Sequence, residues 1–140
     1  MYQLLLIVHF IALAMAIGGG YANIIAKRQM PKADPVTYPG FGIAAAGVGK
    51  MATLGLVILW ITGLWMASIK FGGFADIPAL FWAKIAAVVA ASGVSASLNV
   101  MIINAQKSGT PPDSAKVDKH AYALAGLGLI IILLAVLTFS

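Results

Sequence analysis

The sequence predicts an all-α integral membrane protein, a four-transmembrane-helix antiparallel bundle with both termini outside (N-out/C-out). Hydrophobic residues make up 61% of the 140 residues and charged residues 9%, and the mean hydropathy is +0.99. Soluble domains carry about 25% charged residues, so this composition cannot cover a water-facing surface. Four apolar runs, each long enough for the ~20 residues that cross a bilayer, alternate with short polar segments.

The first two spans are bounded by basic residues and prolines. The first is predicted over 2–26 and is closed by Lys27 and Arg28. No charged segment precedes it, so we expect a retained span rather than a cleaved signal peptide. The second is predicted over 41–69, because prolines in the intervening segment stop helix continuation. These prolines are Pro31, Pro35 and Pro39.

The last two spans follow from glycine, proline and acidic signals. A break at Gly72-Gly73 ends the second run, and Asp76 is predicted to cap the third span, 77–105. A Pro-Pro segment separates it from the fourth span, 117–139. The whole chain, 1–140, is therefore predicted to be a single transmembrane domain.

Basic residues predict the orientation. Only Lys70 marks the second connection, whereas six basic residues lie in or beside the first and third: Lys27, Arg28, Lys32, Lys107, Lys116 and Lys119. The positive-inside rule then places those two connections in the cytoplasm. We expect a multi-pass protein of the bacterial inner membrane, surrounded by the lipid bilayer. The basic residues that give the net charge of +5 are then expected to orient the protein in the membrane rather than to form a nucleic-acid-binding surface.

The residue inventory excludes several chemistries. Cys and Glu are absent from the sequence, which excludes disulfides, thiolate metal sites and cysteine nucleophiles. All four acidic residues lie in or beside the connections, so the spans offer no paired carboxylates: Asp34, Asp76, Asp113 and Asp118. No phosphate-binding, dinucleotide-binding or HExxH motif occurs.

Three side chains that can carry positive charge lie deep within the spans, away from their ends: His9, Lys50 and Lys84. A charge at bilayer depth costs at least ~2.5 kcal/mol, so each is a candidate functional residue. His9 could be a haem ligand or a proton relay, or it could bond a backbone carbonyl or a serine across helices. Lys84 could hold an anionic group or extend to the outer headgroups. Lys50 lies nearer the midplane and is expected to have a partner.

Helical spacing places these residues on two faces. His9 shares one face with Ala12, Ala16, Gly20 and Asn23, and Lys84 shares another with Ala91, Ser95 and Asn99. His9 and Lys84 each lie about 10 Å in from the outer end, so a shared pocket for an anionic or metal-centred ligand is expected. His120 lies near the inner end and cannot ligate the same iron as His9 within one chain.

Three segments resemble the CopD-domain and HemJ-type membrane proteins. The first helix has Leu6-Ile-Val-His9, then Gly18-Gly-Gly20 and a closing Arg28. The second has Thr62-Gly63-Leu64-Trp65, and the third opens with Phe81-Trp82-Ala83-Lys84-Ile85. The chain differs from that group in the segment Gly20–Arg28 and in lacking a second histidine near Ser95 in the third helix.

The resemblance implies an inner-membrane protein that binds haem b and oxidises protoporphyrinogen IX to protoporphyrin IX. His9 and Lys84 match the residues on which HemJ-type proteins rely, with His9 as metal ligand. Lys50, Arg28, Asn23 and Ser95 complete the candidate cofactor-binding set. CopD-domain relatives are linked instead to copper uptake.

Two alternatives remain open at this point. Dense small residues in the first three helices fit a homo-oligomer, or a non-catalytic small subunit or scaffold of a larger membrane complex. Methionine thioethers suit Cu(I), which leaves copper transport as the other alternative. The methionines concerned are Met15, Met51, Met66 and Met101.

Overall fold

A computed structural model of the chain describes residues 1–29, 38–72, 77–108 and 113–139. These residues form four α-helices and no strand. The helices are α1 (Tyr2–Gln29), α2 (Tyr38–Phe71), α3 (Ala79–Ser108) and α4 (Ser114–Phe139). All four are long and apolar enough to cross a membrane. The prediction of four long apolar helices is confirmed.

Helix α2 begins earlier than predicted, at Tyr38, so Pro39 lies in its first turn rather than before it. The first N–H groups of a helix have no intrahelical acceptor, and a proline there loses no hydrogen bond. At the other end Gly72 follows the helix with φ +64°, a left-handed conformation that suits glycine. The predicted break is confirmed at Gly72.

Helix α4 also begins earlier than predicted, at Ser114, because Asp113 caps it. The Asp113 carboxylate accepts a hydrogen bond from the Ala115 N–H at 3.1 Å. The carbonyl oxygen of Asp113 accepts another from the Val117 N–H at 3.0 Å. A side-chain oxygen at this position satisfies an N–H that the helix itself cannot. The predicted cap at Asp76, with Pro31, Pro35 and Gly73, lies outside the described residues.

The contacts divide the chain into two compact units, Met1–Ile77 with α1 and α2, and Pro78–Ser140 with α3 and α4. In the first unit the helices are antiparallel. A Cβ added to Gly55 would lie 2.7 Å from the Ala12 carbonyl oxygen, and one added to Gly19 would lie 2.8 Å from Ala52 Cβ. Small residues thus allow the close approach that helices in a membrane use in place of a hydrophobic driving force.

In the second unit the buried residues of α3 recur at helical spacing along one face. They are Phe81, Lys84, Val88 and Ala91. Val117 is buried near the start of α4. A hydrogen bond between Ser97 and His120 joins α3 to α4.

Candidate functional site

His9 is half-buried in α1 and bonded to α2. Its Nδ1 lies 2.7 Å from Thr62 Oγ1, and Thr62 is only 4% exposed. The Thr62 hydroxyl donates in turn to the Ile58 carbonyl oxygen, also at 2.7 Å. The His9 ring is therefore connected through the Thr62 hydroxyl to the α2 backbone.

The His9 ring also packs beside Gly63. A Cβ on Gly63 would lie 3.4 Å from His9 Cε1, which is an ordinary van der Waals contact. Two consecutive residues of α2, Thr62 and Gly63, therefore contact the imidazole, the first through a hydrogen bond and the second by packing.

Thr62 was not among the predicted site residues, although its place in the chain gave an approximate signal. In an antiparallel hairpin, residues equally far from the centre of the connection face each other. The centre of the predicted connection, 27–40, would place Ile58 opposite His9, and Thr62 lies one helical turn from Ile58 on the same face. The observed bond joins His9 to a hydroxyl across helices, which is close in kind to the second role considered for His9. The ligand role of His9 stays a prediction.

Lys84 lies in the other unit, in the second turn of α3. It is 8% exposed, and its Nζ lies over the ring of Phe81 at 5.5 Å from the ring centroid. Phe81 is 2% exposed and meets Trp82 edge-on at 6.2 Å between centroids. A cation over an aromatic face is stabilised by the ring quadrupole. The shared pocket of His9 and Lys84 stays a prediction.

The remaining candidate residues differ in their surroundings. Asn23 Oδ1 is buried and has no hydrogen-bond partner in the part of the chain that the structure describes. Lys50 is exposed on α2, and Ser95 is half-buried on α3. The side chain of Arg28 lies outside the described part of the structure.

His120 uses both of its ring nitrogens. Its Nδ1–H donates to the Lys116 carbonyl oxygen at 2.7 Å, and Nε2 accepts from the Ser97 hydroxyl at 3.2 Å. A ligand could therefore bind His120 only by breaking one of these bonds. The arrangement is that of a structural histidine joining α3 to α4.

Within the described residues no group of three or more His, Cys, Asp or Glu side chains could hold a metal ion. Haem needs no such group, since a single histidine can hold its iron from the proximal side. The half-buried imidazole of His9, with one nitrogen bonded to a hydroxyl, fits that requirement. No known protein family, curated protein or solved structure matches this chain.

Proposed function

We propose that the chain is a haem- or porphyrin-associated redox protein of the bacterial inner membrane, with both termini outside. The observation that carries the proposal is the His9–Thr62 hydrogen bond inside a pair of apolar helices. An imidazole at this depth is costly to bury, and here it is oriented by a cross-helix hydroxyl. Orientation by hydrogen bonding is typical of histidines that bind metals or move protons.

His9 would be the axial ligand of haem b or a proton acceptor. Lys84 would hold an anionic group, such as a porphyrin propionate. The Phe81 ring is neutral, so its contact stabilises the ammonium without cancelling its charge. When bound, haem b would supply one-electron chemistry. The resemblance to HemJ-type proteins makes protoporphyrinogen IX the first substrate to test.

An absorption spectrum of the detergent-purified protein, oxidised and then reduced with dithionite, tests the proposal. We expect a Soret band, and α and β bands on reduction. His9→Ala should abolish these bands, while His120→Ala, the matched control at the other histidine, should retain them. A flat visible spectrum after growth with added haem precursor would refute haem binding, and unchanged bands in His9→Ala would refute the ligand role.

A second candidate function, as a small subunit or scaffold, is favoured by the little surface that these helices bury. In the most apolar 18-residue stretch of α3, and likewise in that of α4, 6% of the residues are buried. Lipid or a partner protein could cover the remaining faces. Solubilisation in a mild detergent distinguishes the two functions. A stoichiometric partner without a chromophore would support the scaffold, and metal analysis of the same sample would separate iron from copper.

A further inference from the structure

We propose that Thr62 is the positioning residue of His9. It holds the imidazole as the tautomer with hydrogen on Nδ1, so that Nε2 is the atom through which His9 takes a proton or a haem iron. The ligand in this inference rests on the proposed function. The tautomer is a property of the chain itself and can be measured with no ligand present.

The direction of the Thr62 hydroxyl proton decides the tautomer of His9. The Ile58 carbonyl oxygen has no hydrogen, so its 2.7 Å contact with Thr62 Oγ1 requires the hydroxyl proton to lie between them. A hydroxyl carries one proton, and towards His9 it can therefore act only as an acceptor. The 2.7 Å contact between Nδ1 and Oγ1 then requires hydrogen on Nδ1. In the neutral ring the lone pair is left on Nε2.

The position of the ring is fixed as well. Thr62 holds the imidazole at Nδ1, and Gly63 lies beside Cε1, the carbon between the two nitrogens. Because Thr62 is 4% exposed, water has little access to compete for this bond. A hydrogen bond in such a low-dielectric setting is stronger than the same bond in water. The ring is thus fixed both in tautomer and in direction.

The two histidines of the chain differ in the acceptor of their Nδ1–H. His120 donates to a carbonyl oxygen of its own helix, and its Nε2 accepts a hydrogen bond from the Ser97 hydroxyl. His9 donates across helices to Thr62. Metal-binding histidines commonly donate their other ring N–H to an oxygen in this way, which fixes the tautomer and raises the basicity of the ligating nitrogen.

Nuclear magnetic resonance of ¹⁵N-histidine-labelled protein in micelles, without haem, tests the tautomer. The chain has two histidines, so His120 is an internal reference. We expect the neutral His9 of the wild type to carry its proton on Nδ1. Thr62→Val should shift the His9 resonances to a mixture of tautomers, Thr62→Ser should preserve the wild-type spectrum, and His120 should be unchanged in both variants.

Two results would overturn the inference. One is a neutral His9 that carries its hydrogen on Nε2 in the wild-type protein, and the other is a Thr62→Val variant whose His9 resonances are the same as those of the wild type. If Thr62→Val fails to fold, the wild type and Thr62→Ser decide the tautomer by themselves. Addition of haem b then tests the consequence for binding. Loss of a partner that orients a ligand lowers metal affinity about 10–100-fold, and we expect this loss in Thr62→Val but not in Thr62→Ser.

The two proposals fail separately. The tautomer measured without haem decides the role of Thr62, whatever the ligand. An Nδ1–H tautomer without any Soret band after haem addition would refute the proposed function and leave the positioning role intact. If the Soret band of Thr62→Val is the same as that of the wild type, the expected effect of Thr62 on haem binding by His9 is refuted.

Discussion

Gly55 of α2 lies against the main chain of Ala12 in α1. A Cβ on Gly55 would be 2.7 Å from the Ala12 carbonyl oxygen and 2.8 Å from the Ala16 nitrogen. Backbone atoms cannot rotate away as a side chain can, so the helices would have to separate. Thr62 lies two turns further along α2, and its bond to His9 depends on the same interhelical distance.

We predict that Gly55→Ala destabilises the protein by about 1–3 kcal/mol, the usual cost of overpacking. It should lower the midpoint of thermal unfolding measured by circular dichroism in detergent. Gly47→Ala is the matched control, since a Cβ on Gly47 of the same helix meets nothing within 4 Å. Alanine favours helix over glycine by up to ~1 kcal/mol, so this control should be neutral or stabilising. Equal midpoints for the two variants would contradict the close approach.

The number and type of the helices could be predicted because length and hydropathy alone decide them. The predicted boundaries differ from the observed ones by no more than three residues, as at 117 against Ser114. That difference comes from Asp113, whose capping contacts depend on the local backbone path. Asp is a preferred N-cap residue, so the sequence carries this signal too, but a cap was predicted only at Asp76.

The partners within the candidate site were harder to predict. The expected face of α1 included Gly20, but a Cβ there would meet nothing, whereas one on Gly19 would meet Ala52. Residues three and four apart both face the same neighbour, so spacing from Ala16 could not distinguish Gly19 from Gly20. His9 was predicted as a site residue from its depth in the span and from the family resemblance. The contact of Thr62 with His9 depends on the register of α2 against α1, which the sequence indicates only to within about one helical turn.

We predict that Asn23→Ala leaves the unfolding midpoint unchanged or raises it. Asn23 Oδ1 is buried without a hydrogen-bond partner among the described residues, and such an atom costs about 1–3 kcal/mol. The Asn23→Ala midpoint is compared with that of Thr62→Ala. This second variant removes two formed hydrogen bonds and should lower the unfolding midpoint. If Asn23 serves the ligand instead, the variant should lose haem more readily. A fall in midpoint as large as that of Thr62→Ala would show that the amide stabilises the fold.

The orientation can be tested with single cysteines, because the chain has none of its own. Ala79 at the start of α3 and Ser114 at the start of α4 are both exposed, and neither carries charge that could change the topology. Lys107, Lys116 and Lys119 lie near Ser114, so the positive-inside rule places that end in the cytoplasm and Ala79 outside. A membrane-impermeant maleimide should therefore label Ala79→Cys in intact spheroplasts, and Ser114→Cys only after lysis. The reverse pattern would invert the topology, and it would move His9 and Lys84 from the outer half of the membrane to the inner half.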